Sequence, residues 1–212
     1  MMTTASMTRK ILLCICGLLL CVVAFGVYSA STQKRTPETV IDAVEVIPHL
    51  KDGDILCRLG DRIWSAQFRD LSPTDKRFSH LGIVRIREGN LSVIHAEAWT
   101  ERPEGVNEVS LEEFLQLALA IGIYRANFIE GSLLSDTALE YKGRPFDWNF
   151  DLNEENKLYC TELLYVILKR VAPDRTLKTR YIQWIGKDII LVDAISESDD
   201  FEEILVIRPY NN

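Results

Sequence analysis

The sequence has few of the side chains that most often serve as nucleophile and base. Histidine occurs three times and cysteine five times in 212 residues. Cys14, Cys16 and Cys21 lie in one apolar segment near the N-terminus, so only Cys57 and Cys160 remain for the rest of the chain. Two cysteines are too few for a disulfide framework, although a single disulfide between them is possible. An unpaired thiol would be a candidate nucleophile.

The chain also lacks a basic surface pattern. Its formal net charge is -7, from 24 Lys and Arg against 31 Asp and Glu. This balance repels phosphate backbones, and no stripe of Lys or Arg offers counterion release. Nucleic acid is therefore excluded as a partner. The hydrophobic fraction of 47% and the charged fraction of 26% are typical of a globular protein that buries a core.

Residues 1–30 contain no acidic side chain, and basic residues at positions 9 and 10 precede an uncharged apolar run over residues 11–28. The run is longer than the ~7 to 15 residues of a typical signal-peptide core and just reaches the ~18 that can cross a bilayer. Residues 1–30 are thus either a cleaved signal peptide or an N-terminal membrane anchor. We expect an exported, periplasmic or otherwise extracytoplasmic protein, which associates with the membrane through residues 11–28 if they are retained.

The rest of the chain divides into a polar, proline-containing linker over residues 31–45 and one domain over residues 46–212. The clearest element is a hairpin over residues 78–99, where two β-branched runs flank Gly89, whose freedom to adopt positive φ suits a tight turn. Because this strand pair is a hairpin, we expect an α+β fold with a small, mainly antiparallel sheet packed against helices. Other patterns predict a strand over 52–60, helices over 62–70, 110–120 and 132–143, and strands over 121–129, 188–195 and 203–210.

Cys160 opens an amphipathic helix. Apolar residues at 163, 164, 167, 168 and 171 follow the 3.6-residue period and define its packed face. At a helix start, unpaired backbone N–H groups and the helix dipole favour a thiolate, which predicts a thiol pKa below the ordinary ~8.5. The alternative interpretation is an inert side chain that packs at the start of the helix.

A thiolate needs a proton acceptor, and the hairpin carries two of the three histidines. If its turn is centred on Glu88 and Gly89, the numbers of paired residues sum to 177. His80 then lies opposite Glu97 and diagonal to His95, with all three on one face. A loop of three or five residues would place the two histidines on opposite faces. The shorter turn therefore predicts an imidazole beside two candidate orienting partners, His95 and Glu97.

Five short motifs resemble the permuted papain-like amidases of the YiiX/YaeF type. In chain order they are "GDILCR", "SHLGIV", "VIHA", "YKGRPFDWNF" and "LYCTELL". These amidases belong to the circularly permuted branch of the NlpC-type cysteine hydrolases, with lecithin:retinol acyltransferase as a more distant relative. The resemblance covers about residues 50–170 and implies a circularly permuted papain-like (NlpC-type) fold, in which the catalytic histidine precedes the cysteine.

The resemblance implies Cys160 as nucleophile and His80 as general base. The third residue, which orients the base, falls on His95. Similar bacterial proteins carry Glu there, whereas the acyltransferase relatives use a second histidine, so Glu97 is the alternative third residue. The implied reaction is hydrolysis of an amide in a peptide, a cell-wall peptide or a related small molecule through an acyl-enzyme, with no cofactor and no metal. The resemblance also implies that the aromatic loop around Phe146 forms one wall of the substrate cleft.

Other functions stay open. The same fold serves lipid-directed acyl hydrolases and acyltransferases, and an N-terminal anchor would bring the site near lipid. From a different class, His80, His95 and Cys160 could hold a zinc ion with an open position, although they lack a short-spaced ligand pair. A catalytically inactive binding module on the same scaffold would instead leave the thiol unreactive.

Overall fold

Strands and helices alternate along residues 41–98, 102–116 and 118–208, which are the residues that the computed structural model describes. These residues belong to one compact unit, Thr39–Asn212. The strands are β1 (Ile55–Gly60), β2 (His80–Arg87), β3 (Asn90–Glu97), β4 (Gly105–Ser110), β5 (Ala118–Ala126), β6 (Thr179–Ile182), β7 (Lys187–Ile190) and β8 (Phe201–Ile207). The helices are α1 (Ala43–Val46), α2 (Ile63–Leu71), α3 (Leu111–Leu115), α4 (Gly131–Glu140), α5 (Cys160–Val171) and α6 (Asp193–Ser196), with a 3-10 turn at Ile47–His49.

Six strands form one sheet in the order β4-β3-β2-β1-β5-β8, and β6 pairs with β7 in a separate two-stranded sheet. All the strand pairs of both sheets are antiparallel. The predicted α+β class with a mainly antiparallel sheet is therefore confirmed. Strands that are adjacent in the sequence pair directly from β1 to β4, which brings the hairpin β2–β3 next to β1.

The hairpin β2–β3 has the register that its turn residues predict. Its pairs run from Ile83 opposite Ile94 to Arg87 opposite Asn90, so the paired numbers sum to 177. The turn places both central residues in the left-handed region, with φ of 53° at Glu88 and 80° at Gly89. These signs are those of a type I′ turn, whose twist matches that of the flanking strands.

The six-stranded sheet is covered on both faces, because neighbouring side chains along each strand enter different hydrophobic clusters. Ile55 and Cys57 of β1 belong to the cluster that includes the apolar face of α5, whereas Leu56 belongs to the cluster on the other face with Phe114 of α3. Full burial of such an aliphatic side chain stabilises the fold by about 1.5 to 3 kcal/mol. The first cluster fixes the start of α5 above β2.

Five of the predicted elements end earlier than the sequence pattern indicated, and the difference is largest, at five residues, for two of them. The helix predicted over 110–120 is correctly capped, since the Ser110 hydroxyl accepts the Glu113 N–H at 3.2 Å, but it ends at Leu115. Ala118 already belongs to β5 and pairs with Gly60, so sheet pairing replaces the helix there. The strand predicted over 188–195 ends at Ile190 and is followed by α6.

The predicted export segment over residues 1–30 lies outside the described residues, as does most of the predicted linker over 31–45. Within the described ranges, no helix has the length and apolar character needed to cross a membrane. The short helix α1 (Ala43–Val46) begins inside the predicted linker, with the Asp42 side chain accepting the Val44 N–H at 2.9 Å as its N-cap.

Candidate active site

The Cys160 sulfur lies at the first residue of α5, as the sequence predicted. The side chain is half-buried and its thiol is free. The helix start is fixed on one side by Glu162, which accepts the Tyr159 N–H at 3.2 Å. On the other side, the Thr161 hydroxyl donates to the carbonyl oxygen of Ile190 at 2.7 Å. The sulfur is thereby held at the junction of α5 with the end of β7.

The two hairpin histidines form a hydrogen-bonded pair. His80 Nε2 lies 2.9 Å from His95 Nδ1, and the rings meet edge to face at 82°. His95 is buried at 2% exposure, whereas His80 is half-buried. The Phe114 ring packs against both imidazoles, with centroids 5.8 Å from His80 and 5.2 Å from His95. The prediction that the two histidines lie on one face of the hairpin is therefore confirmed.

Cys160 and one histidine of the pair, His80, line the same cavity. Cys160, His80 and Glu97 all line it, and its free space is about 710 Å³ with the solvent at its mouth included. The backbone N–H groups of Leu81 and Thr161 lower the pKa of the Cys160 thiol, so the sulfur lies near the strand residue that follows His80. Three of the four residues predicted from the sequence thus line one cavity, and the fourth, His95, is hydrogen-bonded to one of them, His80.

The remaining histidine and the second cysteine of the domain lie elsewhere. His49 is exposed at the end of the 3-10 turn. Cys57 has 0% exposure in the core, its thiol is free, and burial raises the pKa of that thiol well above its ordinary value. The disulfide between Cys57 and Cys160 that the sequence left open is therefore not formed. Cys57 packs as a small apolar side chain.

Arg58 is the site residue that sequence reasoning missed. It pairs with His80 across β1 and β2, and its guanidinium forms an ion pair with Glu97. The same group donates to the Phe114 carbonyl oxygen at 2.6 Å and lies 4.6 Å from the Phe114 ring centroid. The sequence does show a charged residue inside the apolar run of β1, which could have indicated a functional role. It does not show which groups that residue contacts. Glu97 Oε2 remains 3.7 Å from His95 Nδ1.

The histidine pair is held in its neutral form. Burial lowers the pKa of both His80 and His95 well below the ordinary value, and the nearby Arg58 charge lowers it further. A neutral imidazole carries one donor and one acceptor nitrogen. The pair can therefore share one N–H between Nε2 and Nδ1, and a tautomer of His80 with its proton on Nε2 leaves Nδ1 free to accept another.

Burial raises the pKa of the Cys160 thiol to about 11. The N–H groups of Leu81 and Thr161 act in the opposite direction, as a helix start should, whereas the Glu97 charge raises the pKa. The sequence-based expectation of a lowered thiol pKa is therefore wrong for the ligand-free site, because desolvation of the thiolate outweighs the helix-start donors. The ligand-free site therefore contains a neutral thiol and a neutral imidazole pair.

A group with metal-binding potential overlaps this site. Donor atoms of His80, His95 and Glu97 lie within 4.8 Å of one another. Among the described residues this set contains Glu97 and not Cys160, so it differs from the His80, His95 and Cys160 set considered from the sequence.

Comparison with known proteins identifies the family. The family model described as "Permuted papain-like amidase enzyme, YaeF/YiiX, C92 family" matches residues 49–190, which is more than half of the chain. A solved structure, described as the metalloprotein yiiX from Escherichia coli O157:H7, is similar at a TM-score of 0.64 and 15% identity, covering 76% of this chain and 99% of that one. A search of curated proteins found no match. The chain belongs to the permuted papain-like amidase family of the YaeF/YiiX (C92) type.

Proposed function

We propose that this protein is a cysteine amidase in which Cys160 attacks the amide carbonyl and His80 moves the proton. The observation that carries the proposal is the shared cavity, which Cys160 and His80 both line, together with the hydrogen bond that joins the His80 imidazole to a second imidazole. Nucleophilic catalysis by cysteine requires this arrangement of nucleophile, base and orienting group. Membership of an amidase family supports an amide as the substrate.

The reaction follows from the neutral resting state. His80 takes the thiol proton as the Cys160 sulfur attacks the carbonyl carbon, and the tetrahedral oxyanion forms next to the N–H groups at the start of α5. His80 then gives that proton to the leaving nitrogen, the C–N bond breaks, and a thioester remains on Cys160. Water, deprotonated by His80, attacks the thioester and releases the carboxylic acid and the thiol.

We assign the orienting role to His95. Its Nδ1 is 2.9 Å from His80 Nε2, whereas the Glu97 carboxylate is engaged by Arg58. A neutral imidazole fixes the tautomer of His80 but stabilises the imidazolium less than a carboxylate would. Glu97 Oε2, at 3.7 Å from His95 Nδ1, is the group that could add negative charge when His80 is protonated.

The test is covalent trapping with an electrophilic acyl probe, followed by mass spectrometry of the labelled peptide. Cys160→Ala should abolish labelling, and His80→Ala should slow it by about 100- to 10,000-fold, the usual contribution of a general base. Cys57→Ala is the matched control and should label like the wild type, because that thiol is sealed in the core. Equal labelling of wild type, Cys160→Ala and His80→Ala would refute the proposal.

A metal-binding module is the second candidate, favoured by the proximity of the donor atoms of His80, His95 and Glu97. The described structural relative is itself named a metalloprotein. Two features oppose a resident zinc ion. The Nε2–Nδ1 distance of 2.9 Å is that of a hydrogen bond, whereas two nitrogens bound to one tetrahedral zinc at ~2.0 to 2.1 Å lie roughly 3.3 Å apart. Arg58 also engages the Glu97 carboxylate.

Metal analysis of the purified chain separates the two candidates. Stoichiometric zinc that persists in Cys160→Ala and is lost in His95→Ala would favour the metal module. Selective alkylation at Cys160 in protein treated with chelator, with amidase activity unchanged by the chelator, would favour the cysteine amidase.

We also propose that the enzyme acts outside the cytoplasm, on the basis of the apolar run over residues 11–28. Fractionation of cells that produce the full-length chain, with N-terminal sequencing of the product, tests this. Protein found wholly in the cytoplasm with residues 1–30 intact would overturn it.

A further inference from the structure

The hairpin β6–β7 carries two large aromatic side chains on its outer side. Tyr181 in β6 is 64% exposed, and Trp184 in the turn between the two strands is 72% exposed. Burial of one aromatic side chain removes roughly 150 to 250 Å² of surface from water. The hairpin therefore presents a large apolar area to its surroundings.

The inner side of the same hairpin is packed against the domain. Ile182 and Ile185 contact a buried cluster that includes Tyr159. Neighbouring side chains of a strand point to opposite faces, so the packing of Ile182 turns Tyr181 outward. The turn is fixed by the N–H groups of Ile185 and Gly186, which donate to the Ile182 carbonyl oxygen at 3.1 and 2.8 Å. The exposure of the two aromatic rings is thus built into the fold of the hairpin.

The cations of the hairpin region are used to hold it to the rest of the domain. Arg180 forms an ion pair with Glu197, and Lys178 Nζ lies 3.2 Å from Glu197 Oε2. Lys187 Nζ lies 3.1 Å from Asp151 Oδ2. These pairs leave no excess of positive charge beside the aromatic rings, and the whole chain carries a formal charge of -7. An anionic surface is therefore not the partner that this hairpin attracts.

Two side chains are too few to support a stable interface with another protein. Together they can bury roughly 300 to 500 Å², whereas a specific protein interface buries about 800 Å² on each partner. Trp and Tyr rings are instead enriched where a membrane meets water, because each has an apolar body and one polar group. The pair fits the headgroup region of a bilayer better than it fits a protein surface.

The sequence provides a reason for a bilayer to lie within reach. The uncharged apolar run ends at residue 28, and the described domain begins at residue 41. Since an extended chain spans at most ~3.3 to 3.6 Å per residue, the intervening residues reach no farther than about 45 Å. A tethered domain needs little further affinity for the membrane, because its second contact is intramolecular.

We propose that the outer side of the hairpin β6–β7 docks on a zwitterionic lipid bilayer, with Trp184 and Tyr181 in the headgroup region. The inference rests on the proposed location outside the cytoplasm and requires that residues 11–28 remain attached as an anchor. Because the hairpin is braced by its ion pairs, its docking fixes the orientation of the domain on the membrane.

Quenching of tryptophan fluorescence by spin-labelled lipids tests the docking, with the full-length chain reconstituted in phosphatidylcholine vesicles. The apolar run contains no tryptophan, so the emission comes from the domain. A label near the headgroup should quench part of the emission and a label near the chain end much less, because interfacial side chains insert only about 5 to 10 Å. Trp184→Ser should lose this quenching. Equal quenching of wild type and Trp184→Ser would overturn the inference.

Trp148→Ser is the matched control. Trp148 is also exposed, at 44%, but it lies in the loop before α5, and its indole N–H donates to Glu104 at 3.0 Å. This variant should keep the quenching of the wild type. Loss of quenching in Trp148→Ser with none in Trp184→Ser would place the contact on another surface and overturn the inference. Quenching that appears only when anionic phosphatidylglycerol is added would overturn the choice of a zwitterionic bilayer.

The outcomes for the hairpin and for the proposed function are distinguishable. Among the described residues, Trp184 is not one of those that line the cavity, so Trp184→Ser in detergent should react with the acyl probe at the wild-type rate. Removal of residues 1–30 in cells would overturn the docking and leave the cysteine mechanism intact. Docking of a wild-type chain whose Cys160 does not react with the probe would overturn the cysteine mechanism alone.

Discussion

Arg58 sets the charge balance around the sulfur. Its side chain is buried at 5% exposure, and its guanidinium is fixed by Glu97 and by the Phe114 carbonyl oxygen. The cation attracts a thiolate on Cys160, whereas the Glu97 carboxylate repels it. The two members of this ion pair therefore have opposite effects on a Cys160 thiolate, although each stabilises the other.

We predict opposite shifts of the thiol pKa from the two halves of this pair. Arg58→Met should raise the pKa of Cys160 above its value of about 11, and Glu97→Gln should lower it, each by about one unit, as expected for a neighbouring charge in a partly buried site. The rate of iodoacetamide alkylation as a function of pH measures both. Since the reactive form is the thiolate, the lower pKa moves the rise in rate to lower pH.

Arg85→Met is the control for that experiment, because Arg85 lies in β2 of the same sheet but pairs with Asp136 and Glu108. It should leave the alkylation profile unchanged. Shifts of the same sign in Arg58→Met and Glu97→Gln would indicate a general disturbance of the site and contradict the electrostatic role.

At the scale of elements, the hairpin β2–β3 determines whether the imidazoles can meet. Its two-residue turn keeps His80 and His95 on one face, and a turn longer or shorter by one residue would reverse the face of every later side chain in β3. Glu88 is an unfavourable residue for its position, since it holds a φ of 53°. The register of β2 and β3 is kept despite the unfavourable backbone conformation of Glu88.

We predict that Glu88→Asn stabilises the protein by about 0.5 to 1 kcal/mol, because Asn followed by Gly is the preferred pair for a type I′ turn. Urea unfolding measures the change, and the pKa of Cys160 should not move. Glu112→Asn is the matched control, because Glu112 is an exposed glutamate in the first turn of α3. It should give no gain in stability. A loss of stability in Glu88→Asn would contradict the turn assignment.

The elements with local signals could be predicted from the sequence. Gly89 fixed the turn and hence the register, Ser110 marked a helix start, and the apolar period after Cys160 defined the buried face of α5. The end of α3 was predicted too late, because the pairing of Ala118 with Gly60 joins distant parts of the chain. Local patterns carry no information about such pairing.

The charges of the site were harder to predict than its geometry. The positions of His80, His95 and Cys160 follow from two elements that are each visible in the sequence. The role of Arg58 and the raised thiol pKa depend on burial and on neighbours from other strands, and both arise only in the assembled fold. The helix-start argument correctly predicted that the backbone N–H groups lower the thiol pKa. It missed the larger effect of burial, which raises that pKa.

At the scale of the whole molecule, the two thiols of the domain report different properties. Cys160 lines an open cavity, whereas Cys57 has 0% exposure in the core between β1 and α5. Reagents can reach Cys57 only when the core opens, so its labelling follows global unfolding. Cys160 instead responds to the native site.

We predict that native protein treated with excess iodoacetamide is modified at Cys160 well before Cys57, and that the two thiols react at comparable rates in concentrated denaturant. Peptide mapping by mass spectrometry at several times measures both rates. The Cys160→Ala variant is the control. In this variant, the protection of Cys57 from iodoacetamide should be the same as in the wild type. Early labelling of Cys57 in native protein would contradict the packing of β1.

The placement of Cys160 at the start of α5 has a consequence for the order in which the candidate site is assembled. During synthesis, β1, β2 and β3 leave the ribosome before Cys160, so the imidazole pair can be assembled while the sulfur is still to be made. The residues of β7 and of the segment that follows it, which line the same cavity as Cys160, are made later still. A nascent chain can therefore complete this candidate site only after β7 and the segment that follows it have been made.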